Sequence, residues 1–206
     1  MKSIKFFTAG VVMLSAVAVS NAQNEADNSA DKTISFGVKG GVNFATVTGG
    51  EDFDSPDSRT SFHVGAVAEL PVSDQFSVQA EALYSGQGFK LDFSGSDGDK
   101  AEYQLDYINV PVLAKFYLTK GFSIEAGPQF SFLVNEEFDA NPFSDDGDVV
   151  IEDGANSFEF GVAAGVTFQT EMGLFASGRY NYGITEIYED SKLNNSVFQI
   201  SLGYKF

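Results

Sequence analysis

Val197-Phe198-Gln199-Ile200-Ser201-Leu202-Gly203-Tyr204-Lys205-Phe206 sets Phe198, Ile200, Leu202, Tyr204 and Phe206 on one face and Val197, Gln199, Ser201, Gly203 and Lys205 on the other. A period of two is the period of a β-strand, whose successive side chains point to opposite faces. An outward row that is wholly apolar and rich in aromatics makes a poor soluble edge strand, because such an edge pairs with other chains. Lipid requires that row of a strand in a closed barrel, where hydrocarbon meets the outer wall and every backbone group is paired within the wall.

The alternation recurs upstream. Apolar rows run over 34–44, 62–70, 76–84, 122–132, 158–168 and 174–182, each opposed by Gly, Ser, Ala, Asn and Gln with scattered charges and with Val67, Leu83 and Phe175. One further stretch is irregular. Tyr103, Leu105 and Tyr107 share a parity, and Ile108, Val110, Val112, Ala114, Phe116 and Leu118 take the other. A change of parity is what a bulge produces, and Pro111 cannot donate to a ladder. A bulge or pairing defect is therefore predicted between Tyr107 and Pro111. The eight segments have about 10–12 residues each, enough to cross a bilayer at the usual tilt, and their number is even.

The joins alternate in length. Short ones fall at 71–75, 119–121 and 170–172, and long ones at 46–60, 86–102, 134–157 and 184–196. The long joins hold 19 of the 29 acidic residues, eight of them in 134–157, where Val149 to Ile151 read as a hairpin extending past the membrane. The expected fold is all-β, an eight-stranded antiparallel closed transmembrane β-barrel with short periplasmic turns and long acidic extracellular loops, over 33–206. A soluble sandwich or lipocalin-like barrel would turn the apolar row inward and carry charges outside. Here the polar row is mostly small residues, which suits a narrow lumen.

Residues 1–22 carry Lys2 and Lys5, an apolar run from Phe6 through Val19, and Ser20-Asn21-Ala22, the pattern of a signal peptide cleaved after Ala22. The run is short of the roughly 20 residues of a membrane helix. Residues 23–32 are polar and acidic and read as a disordered lead-in. The chain has no cysteine, so a disulfide or thiolate-metal scaffold is excluded. The net charge of −17 argues against binding nucleic acid, whose backbone needs a basic surface, and suits cations or a basic partner.

The strand period places Lys39, Glu69, Glu81, Lys115, Glu125, Glu159 and Arg179 inside, together with His63. An eight-stranded barrel has a lumen that side chains fill, and charges buried there must pair. The expectation is a structural ion-pair network anchored by Arg179 and Lys115. Acids outnumber bases in that set four to three, which calls for a protonated carboxylate or an opening to water at one end. Glu81 and Glu125 raise a paired-carboxylate hydrolase reading, but spacing places no Ser or Asp partner beside His63, the single histidine, and the reading is non-enzymatic. Asp97-Gly98-Asp99 and Asp145-Asp146-Gly147-Asp148 alternate carboxylates around Gly as a calcium loop does, without the closing Glu of the full motif. No cofactor is expected beyond that suggestion of calcium, or of a divalent cation bridging to lipopolysaccharide.

The chain resembles the small outer-membrane β-barrel proteins of Bacteroidetes, often described as PorT-like. The resemblance rests on residues 34–44, 79–88 and 105–116, on Gly127-Pro128, and on Arg179-Tyr180-Asn181-Tyr182-Gly183. It spans about 33–206 and implies a location in the outer membrane, among its lipid and lipopolysaccharide. The outward aromatic last strand resembles the signal read by the barrel assembly machinery, so Phe206 is expected to act as an assembly signal. No functional residue is carried over. Two function classes fit: a structural or interaction protein, such as an accessory subunit of an envelope complex, and a narrow porin-like channel for small solutes or ions.

Overall fold

The computed structural model describes residues 33–49, 56–92, 100–139, 148–150, 154–188 and 192–206. Its strands are β1 (Ser35–Thr48), β2 (Asp57–Pro71), β3 (Phe76–Asp92), β4 (Lys100–Thr119), β5 (Phe122–Asp139), β6 (Asp148–Val150), β7 (Phe158–Gln169), β8 (Leu174–Gly183) and β9 (Asn194–Lys205). The signal peptide and lead-in over 1–32, Asp97-Gly98-Asp99 and Asp145-Asp146-Gly147 lie outside the described residues.

Eight of these strands form one closed antiparallel ring in the order β1-β2-β3-β4-β5-β7-β8-β9. Closure is made by β1 against β9, from Gly37 opposite Lys205 to Thr48 opposite Asn194. The Phe206 amide extends it by donating to the Phe36 carbonyl at 2.8 Å. The short β6 pairs with the end of β5, Phe138 opposite Val149 and Glu137 opposite Val150, so the start of the apolar run in the third long join forms a hairpin with β5, while Ile151 lies outside the described residues.

The strands run farther than the apolar period. β3 and β4 stay paired out to Asp92 opposite Lys100, and β2 begins at Asp57, inside a stretch read as loop. Beyond the hydrocarbon the outward row turns polar while the backbone ladder, which needs no lipid, continues. Arg59, for example, donates from Nη1 to the Gln87 carbonyl at 2.9 Å and from Nη2 to Gln104 Oε1 at 2.7 Å.

The fourth segment does not change parity. Leu105, Tyr107, Asn109, Leu113 and Lys115 are all buried on one inward row of β4. The expected pairing defect is present: a register shift falls at Asp106/Tyr107 against β5, and the pairing with β3 lapses at Val110 and Pro111, between Asn109 opposite Leu83 and Val112 opposite Ala80, without a change of register. What changes is the lumen, which is apolar at this end and accepts Leu105 and Tyr107 where it takes charges lower down.

The outer wall carries two aromatic bands. Toward the long loops Phe44, Phe198 and Tyr180 share a row across β1, β9 and β8, and Phe130 stands opposite Phe160 with ring centroids 5.6 Å apart. Toward the short turns Phe76 faces Phe116 and Phe122 faces Phe168. Between them the outward side chains are Val, Ile, Ala and Leu with Pro128, the banding expected of a wall spanning hydrocarbon between two interfaces.

Gly88 has φ +117, close to the register shift between β2 and β3, and a Cβ there would meet the Tyr103 carbonyl oxygen at 1.9 Å. Gly178 has nothing within 4 Å of its Cβ position. Gly88→Ala should destabilise the barrel by more than about 1 kcal/mol, and Gly178→Ala should stay within about 0.5 kcal/mol of wild type. Urea unfolding of the detergent-solubilised protein, followed by circular dichroism, measures both.

Candidate functional site

The middle of the lumen is organised by Arg179. Its strand presents Phe175, Ser177, Arg179 and Asn181 inward, and the guanidinium is 1% exposed. Nη1 and Nη2 donate to Glu81 Oε2 and Oε1 at 2.7 and 2.8 Å, a bidentate fork across the lumen to β3. Nε and Nη2 also donate to Glu125 Oε1 on β5 at 3.0 and 2.6 Å. Lys39 on β1 adds a donor to Glu81 Oε2 at 3.2 Å, and Thr167 donates to Glu125 Oε2 at 3.0 Å. Two bases and two acids thus neutralise one another, with charge-assisted bonds on both carboxylates.

A second group lies toward the short turns. Lys115 donates to Glu69 Oε2 at 3.1 Å and to Gln79 Oε1 at 3.1 Å, and Ser77 and Tyr117 also donate to Glu69. Lys205 completes it by donating to the same Glu69 oxygen, with its Nζ 5.2 Å from the centre of the Phe175 ring. Lys205 is the fourth interior base. The four-to-three count of acids over bases thus becomes four to four.

His63 does have partners, supplied by strands far away in sequence. Its Nδ1 lies 2.7 Å from Asn43 Oδ1 and its Nε2 2.8 Å from Ser201 Oγ. Asn43 donates to the Gly86 carbonyl at 2.7 Å and accepts from Gln199 at 2.9 Å. Gly41 makes room for the ring, since a Cβ there would stand 2.8 Å from His63 Cε1. Ser201, His63 and Asn43 are connected in the order of a nucleophile, base and orienting group, but all three are fully buried in the packed wall of the lumen.

Toward the long loops the charges give out. Glu159 accepts from Asn195 at 2.5 Å and pairs with no base among the described residues. Above it Val47, Phe89, Leu105, Tyr107, Ile187 and Leu193 form one buried apolar cluster in the mouth of the barrel. The 184–188 segment is tied into it, with the Ile187 amide donating to the Leu193 carbonyl at 2.8 Å and accepting, through its own carbonyl, from Asn156 at 2.7 Å. Glu136 staples the rim, accepting from Tyr103, from Tyr188 at 3.2 Å and from the Ala155 amide at 2.8 Å. Burial, together with Tyr103 and Glu136, raises the pKa of the Tyr188 hydroxyl.

Arg179→Ala removes one partner from two buried carboxylates and should cost about 3–5 kcal/mol. Lys90→Ala breaks a half-exposed rim pair with Glu102 and should cost less than about 1 kcal/mol. Urea titration of both variants beside wild type measures the difference.

Residues 21–189 match the family model described as outer membrane protein beta-barrel domain. No curated protein matches the chain in sequence. Among solved structures, neisserial surface protein A (NspA) shares 15% identity at a TM-score of 0.55, covering 84% of this chain and 99% of its own. The attachment invasion locus protein Ail of Yersinia pestis shares 12% identity at a TM-score of 0.50, covering 84% and 98%. Ail has also been solved in complex with the heparin analogue sucrose octasulfate. These likenesses carry the fold. With its family model matched over most of its length and its ring of strands closed, the chain belongs to the outer membrane protein beta-barrel domain family and resides in the outer membrane.

Proposed function

We propose that this protein is a non-enzymatic barrel with a structural or interaction role, presenting acidic extracellular loops to a basic partner as an accessory subunit of an envelope complex. The observation that carries this reading is the filled lumen: ion pairs occupy its middle and periplasmic end, and an apolar cluster closes its outer mouth. Solute passage would require both to move, which leaves recognition to the loops. Glu81 and Glu125 both accept from one guanidinium, an arrangement that supports a structural role over a hydrolytic acid–base pair.

Within the family, the motifs at 34–44, 79–88 and 105–116 support a place among the small PorT-like barrels of Bacteroidetes. The charge favours a basic ligand. A polysulfated ligand of the kind solved with Ail would meet long joins that hold 19 acidic residues. Surrounding lipid and lipopolysaccharide contact the apolar wall, and the loops stand beyond it. Association with a basic partner should weaken with salt, because exposed charges are screened within about 8 Å at physiological ionic strength.

Planar-bilayer recording of the purified barrel tests the reading. The expected result is no steady conductance; a reproducible open level whose selectivity shifts in Glu81→Gln would establish the porin-like alternative instead. Assembly has its own test. Phe206 is 75% exposed on the lipid face and ends the closing strand, so its deletion should lower the yield of inserted barrel in membrane fractions. An unchanged yield would remove it as an assembly signal.

A further inference from the structure

Six buried side-chain atoms lack a hydrogen-bond partner among the described residues, and five of them belong to Asn109, Asn181 and Asn195. These three are not scattered. On β8, Asn181 is the next inward position above Arg179, and on β4, Asn109 is the next inward position below Tyr107 of the apolar cluster. Asn109 stands opposite Ser131, and Ser131 opposite Glu159, so one row crosses β4, β5 and β7. Asn195 reaches that row by donating to Glu159 Oε2. Along β7 the inward positions after Glu159 are Gly161, Ala163 and Gly165, which fill little of the lumen. Gly183 leaves space for the carboxylate itself, since a Cβ there would stand 3.0 Å from Glu159 Oε1.

The result is a polar layer between the Arg179 network and the apolar mouth. Its charge is also unmatched. The middle group is balanced, two bases to two acids, and the periplasmic group has two bases to one acid. Among the described residues this layer holds one acid and no base. A buried carboxylate without a counter-charge is strongly disfavoured, and the remaining groups offered here are amide and hydroxyl oxygens, which bind hard cations. A single carboxylate matches a single positive charge.

We propose that this polar layer is a binding site for a monovalent cation of the sodium or potassium class. Glu159 supplies the charge, and Asn109, Asn181 and Asn195 supply neutral oxygen ligands directly or through water. The site is independent of what the loops bind.

The test is urea unfolding of the detergent-solubilised full chain in sodium chloride, potassium chloride and N-methylglucamine chloride at equal ionic strength. An alkali cation at ten times its dissociation constant should raise the folding equilibrium constant about eleven-fold over the bulky organic cation. The increment should vanish in Glu159→Gln and shrink in Asn181→Leu. Equal midpoints for wild type in all three salts would overturn the proposal without recourse to any variant. So would an alkali-cation increment that survives intact in Glu159→Gln.

Discussion

A guanidinium held at mid-height in a lipid-facing wall has to be neutralised from inside, and Arg179 sets that demand. Glu81 and Glu125 answer it from β3 and β5, and Lys39 joins from β1. None of these strands is a neighbour of β8 in the sheet. The bonds therefore cross the lumen and tie together strands that the backbone ladder connects only by way of others. They also constrain register. A one-residue slip of β8 would turn Arg179 toward lipid, leave Glu125 buried without a base and leave Glu81 to Lys39 alone, and the penalty falls on all three elements together.

The charges along the lumen are sorted by height. The periplasmic group has two bases to one acid, the middle has two to two, and Glu159 toward the outer mouth has no base beside it among the described residues. The external loops continue the trend, with 19 acidic residues in the long joins. Hence bases and acids are sorted along the axis of the barrel, the bases toward the short turns and, among the described residues, the unpaired acids toward the long loops. Pairing is strongest at mid-height, where water is farthest away and an unpaired charge would cost most.

Much of this was legible in the period-two rows. One rule, apolar out and polar in, locates eight strands, the alternation of short and long joins, and the inner wall on which Glu81, Glu125 and Arg179 meet. What it cannot supply is partnership, since neighbours across a lumen are far apart in sequence: His63 and Ser201 are separated by 138 residues, and Lys205 and Glu69 by 136. Lys205 has the inward parity of the last strand, and its counter-charge, Glu69, lies on a strand from the other end of the chain. The strand extensions were illegible for a different reason. Past the membrane both faces of a strand meet water, and the pattern fades although the hydrogen bonds persist.

Tyr103, Leu105 and Tyr107 show where the rule inverts. Their parity suggests a flipped strand only if the lumen is polar throughout. At the outer mouth it is not: Val47, Phe89, Ile187 and Leu193 meet Leu105 and Tyr107 there, and Tyr103 packs against the cluster. An apolar cluster at a mouth needs walls higher than the membrane and a cover against water. The extended ends of β1, β3 and β4 supply the walls, and the 184–188 segment with Leu193 supplies the cover. The long strands and the inverted residues of β4 are thus two consequences of one fact, that this barrel closes its outer end with side chains.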